Sequence, residues 1–154
     1  MVMVVYSSYF GNIVQEFYRL DMGKYSKCCR YYDNGTWEEL EWVNPPMALG
    51  IEYRTTERWL GKPVYTMLLD FGALPNATSK TIYITVPVGG AKIEVFSVCG
   101  KFSGSDGSNG ELLAFDRVRS HWATCTTNAI TLGITTSEDA TGYNAWITIK
   151  YTKD

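Results

Sequence analysis

An all-β fold, an antiparallel β-sandwich of jelly-roll type preceded by a small N-terminal β-meander, is predicted by three features of this sequence. Apolar and polar side chains alternate with a period of two along Thr81–Val86, Ala129–Thr135 and Tyr143–Tyr151, the pattern of half-buried strands. Charged residues are 19% of the 154, beside 11 Tyr, 5 Trp and 14 Gly, a composition that suits sheets and turns better than helices. No stretch carries a convincing helical period, and about seven short runs at close spacing argue for a sandwich. The length suits one domain, or one with a small satellite, and suffices to bury a core.

Taken in order, Val2 to Tyr6 is an apolar run, and Ile13 to Leu20 alternates around Gln15 and Phe17. Ser26 to Tyr32 is a third strand, closed by Asp33-Asn34-Gly35; Asn-Gly between β-prone runs is a strong hairpin signal. Trp37 and Trp42 follow on the returning strand. Asn44-Pro45-Pro46 then removes two backbone donors and holds the chain extended, which places a boundary between a module over 1–44 and a sandwich over 47–154. Val64 to Phe71 reads as a strand, turned by Gly72-Ala73-Leu74-Pro75-Asn76. Thr81 to Val86 puts Ile82, Ile84 and Val86 on one face, with Thr81, Tyr83 and Thr85 on the other. Lys92 to Val98 points Ile93 and Val95 inward, and the polar, Gly-rich run Ser103 to Gly110 reads as a loop at a tip. Glu111–Phe115 and Trp122–Thr126 are further strands. Ala129–Thr135 aligns Ile130, Leu132 and Ile134; Tyr143–Tyr151 aligns Ala145, Ile147, Ile149 and Tyr151.

Charge and motifs narrow the function classes. A formal net charge of −2 gives no overall attraction to nucleic acid or to anionic lipid. No segment approaches the roughly 18 apolar residues of a membrane-spanning helix, and Met1–Ser8 lacks the basic region and the long apolar run of a signal peptide. Vicinal Cys28 and Cys29 would face opposite sides of a strand, so with Cys99 and Cys125 they read as free, mostly buried thiols rather than a metal site. Asn34-Gly35-Thr36 and Asn76-Ala77-Thr78 fit a glycosylation pattern, but Asn is expected in such turns.

Catalytic constellations are hard to assemble. The lone His121 has no nucleophile elbow near it and reads as a polar residue at a strand start. Glu38, Glu39 and Glu41 cluster beside Trp37 and Trp42, where a glycosidase would need two opposed carboxylates; on a strand Glu39 and Glu41 share one face, a solvated one beside structural tryptophans. Gly104, Gly107 and Gly110 lack the Lys-Ser/Thr ending of a phosphate loop, and Asp106–Glu111 lacks calcium-loop spacing. Binding through aromatics remains. Tyr31, Tyr32, Trp122, Tyr143 and Trp146, with the polar tip residues Ser105 and Asp106, are the candidate ligand contacts. The competing role for each ring is a core or intersubunit contact, the commoner use of such side chains.

One segment carries a family resemblance. Thr55-Thr56-Glu57-Arg58-Trp59-Leu60-Gly61-Lys62-Pro63-Val64-Tyr65, running into Thr66–Asn76, resembles a stretch near the C-termini of bacteriophage tail-fibre and related virion proteins. The ending Ala145–Lys153 is similar to the close of many such domains, and Gln15, Arg30, Gly35-Thr36-Trp37 and Trp42 resemble a knob-type module of phage fibres and bacteriocin tails. Little chain precedes Val2, so that module looks shortened, or completed by a neighbouring copy. The resemblance implies structural roles for Gln15, Arg30, Trp37, Trp42, Trp59, Gly61, Lys62, Pro63 and Tyr65. Gly61 would permit the turn, Pro63 would fix the strand entry, and the Trp59 and Tyr65 rings would cover the sandwich edge. It implies no cofactor and no metal, a homotrimer among other virion proteins, assembly in the host cytoplasm, and adhesion to a bacterial surface glycan or protein. Ser103–Gly110 and Ser137–Tyr143 would bear the contacts. The rival expectations are a head-fibre, decoration or baseplate protein with an assembly role alone, and a small glycan-degrading enzyme.

Overall fold

The computed structural model describes residues 2–7, 13–19, 26–86, 92–104, 111–112, 119–126 and 129–154. Among these the fold is all-β and mostly antiparallel. The strands are β1 (Val2–Ser7), β2 (Ile13–Arg19), β3 (Ser26–Asp33), β4 (Thr36–Trp37), β5 (Glu41–Trp42), β6 (Glu52–Trp59) and β7 (Lys62–Ala73), then β8 (Ser79–Thr85), β9 (Ile93–Gly104), β10 (Glu111–Leu112), β11 (Arg119–Cys125), β12 (Ala129–Thr136) and β13 (Tyr143–Lys153). A ten-stranded sheet runs in the order β1-β2-β3-β5-β6-β7-β13-β9-β10, with β4 attached to β3; the second sheet is β11-β12-β8. β1, β2 and β3 form the expected meander, and the parallel pairing of Trp42 with Thr55 carries the long sheet from β5 into β6.

The core lies between the three-stranded sheet and the β7-β13-β9 part of the long one. Ala145, Ile147, Ile149 and Tyr151 of β13 are fully buried, and Ile130, Leu132 and Ile134 of β12 face them from the other layer. Tyr65, Met67, Leu69 and Phe71 of β7, with Ile93 and Phe102 of β9, complete the inner surface. Each large apolar side chain so buried contributes about 1.5–3 kcal/mol of transfer free energy, so the period-two face dictates which side of each strand turns inward. Ile84 and Val86 are buried as the alternation requires, and Ile82 and Val95 pack against the same core.

Several local expectations are corrected. The segment carrying Trp37 and Trp42 is two short strands, β4 and β5, rather than one; residues 38–40 leave the ladder after Glu38 N–H donates to Tyr31 C=O. That break turns the Glu41 side chain inward to 3% exposure while Glu39 stays 73% exposed, so the pair does not form one solvated face. Ser103 and Gly104 belong to β9 rather than to a loop, because they continue the ladder against Asn144 and Tyr143; 105–110 lie outside the described residues. β10 ends at Leu112, and 113–115 also lie outside the described residues. β7 runs on to Ala73, with Gly72 at φ +70 inside the strand end. Of the four free thiols, Cys28 and Cys29 are buried, Cys125 is half-buried and Cys99 is exposed.

Candidate functional site

The residues that resemble the knob module come together on the meander. Gln15 and Arg30 are register partners on β2 and β3, and Arg30 Nε donates to Gln15 Oε1 at 2.8 Å. The Arg30 guanidinium lies 4.4 Å from the centre of the Trp37 ring, a cation–π contact, and the Tyr32 ring packs at a tilt against that indole, centroids 5.1 Å apart. The turn that brings Trp37 back has Asn34 and Gly35 at φ +47 and +86, as a two-residue hairpin requires. Tyr32 is thus occupied by Trp37, whereas Tyr31 is exposed and its hydroxyl accepts the Cys29 S–H at 3.7 Å.

A charged cluster joins the meander to the sandwich. Glu41 accepts from Arg54 Nε at 3.0 Å and from Arg58 Nη2 at 2.7 and 2.9 Å, and Arg54 Nη1 reaches Glu39 at 2.7 Å. Burial opposes the charge on Arg54, but the Glu39 hydrogen bond and the Glu41 charge outweigh it and raise its pKa. Trp42 adds an edge-on contact to Tyr53 at 5.5 Å. Glu41 is therefore bound between two guanidinium groups instead of facing an open cleft, and the carboxylates beside Trp37 and Trp42 form no opposed pair.

The segment that resembles tail-fibre domains is the β6–β7 hairpin. Leu60 and Gly61 take φ +50 and +81, the two positive values of a type I′ turn, and Gly is the residue that adopts them without strain. Thr55 Oγ1 donates to Val64 C=O at 2.9 Å, which secures the strand pair where its register shifts. Trp59 stacks flat on Phe96, centroids 4.4 Å apart, and Phe96 is the extra residue left where β9 slips against β13. Lys62 pairs with Asp154, and Tyr65 stacks on Tyr151 at 5.9 Å. Tyr151 donates to Glu52, which Lys153 also contacts at 2.6 Å. Burial first, then the Glu52 hydrogen bond, pushes the Tyr151 hydroxyl well above its ordinary range.

The remaining candidate rings do not converge. Trp122 lies over Gly133 on the outer face of the small sheet, so close that a Cβ there would meet the indole at 2.3 Å. Tyr143 stands edge-on to Phe102 at 5.5 Å, at one end of the sandwich. Trp146 is on the opposite outer face, with Lys101 5.9 Å from its ring, and lines an open groove of about 600 Å³ with Leu68, Cys99, Ser103 and Thr148. Ser105 and Asp106 lie outside the described residues. The segment 137–143 is pinned rather than free: Ala77 N–H donates to Glu138 C=O, Ala140 N–H to Pro75 C=O, and Asp139 accepts from the backbone and hydroxyl of Thr141. A smaller groove of about 270 Å³ runs between β9 and β11 past Phe96, Ser97, His121 and Trp122. Among the described residues no three His, Cys, Asp or Glu side chains gather to hold a metal ion, and no helix is long and apolar enough to cross a membrane.

Sequence reasoning missed Tyr83, which at 77% is among the most exposed large side chains described. Its placement on the outward face of its strand was legible from the alternation; that no described element covers it was not.

No protein-family model and no curated protein sequence matches this chain. Among solved structures it is similar to a C-terminal portion of the R1 pyocin fibre of P. aeruginosa, with a TM-score of 0.33 and 10% identity. The match covers 96% of this chain and 56% of that one, so the chain spans little more than half of the fibre portion it overlays. A score of that size describes a weak, tail-fibre-like similarity of shape.

Proposed function

We propose that this chain is a virion component of a phage-like particle, a tail-fibre or receptor-binding element that adheres to the bacterial surface without turning anything over. The observation that carries the reading is the β6–β7 hairpin. The residues there that resemble tail-fibre domains are the ones that close the sandwich, Trp59 on Phe96, Lys62 to Asp154 and Tyr65 on Tyr151. A rigid, two-layered scaffold with exposed rings on separate faces supports adhesion by several weak contacts. Three copies in a homotrimer would multiply those contacts into avidity. The segment 137–143, held by Pro75, Ala77 and Thr141, would add contacts of its own. Glu41, held between Arg54 and Arg58, serves in this reading as a structural anion and not as a general acid.

The test is competition. Purified chain, incubated with host cells before the particle that carries it, is expected to block adsorption; particles that adsorb at an undiminished rate would remove the adhesion role. One observation favours the second reading, an assembly protein of a head fibre, decoration or baseplate. Edge strand β1 exposes Val2 and Tyr6 on one face and Met3 and Val5 on the other, a strand of the kind that neighbouring chains cover. Cryo-electron microscopy of the particle separates the two by where the chain sits.

A further inference from the structure

The outer face of the three-stranded sheet carries an array of hydroxyls and aromatic rings. Register places Thr124, Thr131 and Tyr83 in one row across β11, β12 and β8, and Trp122, Gly133 and Thr81 in the next. A third row is Ser120, Thr135 and Ser79, in which the Ser79 and Thr135 hydroxyls bond to each other at 2.7 Å. The intervening positions Ile130, Leu132 and Ile134 are fully buried, so these rows point away from the core. None of the nine carries a charge or an aliphatic side chain. The Lys80 ammonium is turned away to the carbonyls of Phe71 and Ala73 at 2.8 Å each.

We propose that this face is a binding platform for a neutral polysaccharide. The proposal rests on the adhesion reading above and names its ligand class and its surface. Gly133 is the device that makes it work: without a Cβ, it lets the Trp122 indole lie down on the sheet as a platform, 39% exposed. Tyr83, 77% exposed, stands two strands away and one row along, about 12 Å distant at Cα from strand spacing and rise. That span suits an oligosaccharide, not a single sugar ring. Complementarity of charge selects the ligand. A phosphorylated or acidic polymer would meet no cation on these rows, and would have its hydration stripped without a partner. A neutral sugar chain instead offers C–H faces to the two rings and hydroxyls to the Ser and Thr ladder.

The test uses the full chain in native gels containing dextran, mannan or a galactan, with polygalacturonate as the acidic counterpart. At least one neutral polymer should retard the protein and polygalacturonate should not. Tyr83→Ala, which removes an exposed ring and disturbs no packing, should weaken that retardation about tenfold, the order of one stacked aromatic contact. Trp122→Ala should do the same, with circular dichroism confirming the fold. Absence of retardation by all three neutral polymers, equal retardation by polygalacturonate, or full retardation of Tyr83→Ala would overturn the proposal. A changed solution mass of Tyr83→Ala would overturn it too, assigning the face to contact between copies. The same proteins in the adsorption competition keep the two readings apart. If wild type and Tyr83→Ala block equally, the platform falls and adhesion stands; if wild type does not block, adhesion itself falls.

Discussion

Replacing Glu41 by Gln should loosen the joint between the meander and the sandwich more than any other single polar change. The carboxylate is 3% exposed and is the shared partner of Arg54 and Arg58. Gln keeps its volume but not its charge, which leaves two guanidinium groups facing one amide. Breaking a fully buried ion pair by neutralising one partner costs about 3–5 kcal/mol. Arg58 is 42% exposed and screened by water, and Arg54 keeps Glu39 at 2.7 Å, so the expected loss falls to about 2–3 kcal/mol. For a chain of this length that is a fall in Tm of about 5–10 °C. Urea denaturation followed separately by tryptophan fluorescence and far-ultraviolet dichroism is the assay. The meander holds Trp37 and Trp42, so non-coincident transitions in the variant would report its early release. Glu39→Gln is the control, because that carboxylate is 73% exposed; it should stay within about 0.5 kcal/mol of wild type. If Glu41→Gln also stays within that margin, the cluster is not what joins the two parts, and the reasoning is refuted.

Three other outcomes follow from the same contacts. Gly133→Ala should drive the Trp122 indole off the sheet, with a loss of about 1–3 kcal/mol in urea and increased quenching of tryptophan by acrylamide; unchanged quenching would mean the ring does not rest there. The hydrogen bonds from the backbone and hydroxyl of Thr141 lower the Asp139 pKa, so its contribution is fully present above the ordinary 3.8 and is lost as pH falls through the lower folded value; Asp139→Asn should flatten the acid limb of Tm against pH, and an unaltered limb would contradict this. Tyr151 is raised instead, so its contribution is present below the ordinary 10.0 and declines as pH climbs beyond it; ultraviolet titration should leave this phenol protonated until the chain unfolds, and its smooth ionisation in the folded protein would count against the buried Glu52 contact.

Much of the sandwich was legible because burial on one face imposes a period that needs no partner to be read. Alternation alone aligns Ile130, Leu132 and Ile134, and Ala145, Ile147, Ile149 and Tyr151, on one face of their strands, and in the structure all seven are fully buried. Local turn chemistry was legible at Asn34-Gly35, whose Asn-Gly pair carries its own backbone signature, whereas the turn at Gly61 came from the resemblance to tail-fibre domains. β6 was missed because Glu52, Arg54, Glu57 and Arg58 obscure the alternation of Tyr53 and Thr55, and those charges are used in long-range pairs with Lys153, Glu41 and Lys150. No local pattern could place β13 between β7 and β9, or set Trp122 against Gly133, since both depend on register between segments distant in sequence. Hence the aromatics were recognisable as candidates while their grouping was not. Trp146 and Trp122 proved to lie on opposite outer faces, and Tyr83 joined the latter.

Sedimentation equilibrium on the purified chain tests the fibre reading most directly. The account predicts a stable species at three times the 17.3 kDa of one chain, held at concentrations where weak self-association would dissolve. A monomer at every concentration, accompanied by new reducing ends from host polysaccharide, would contradict it on both counts.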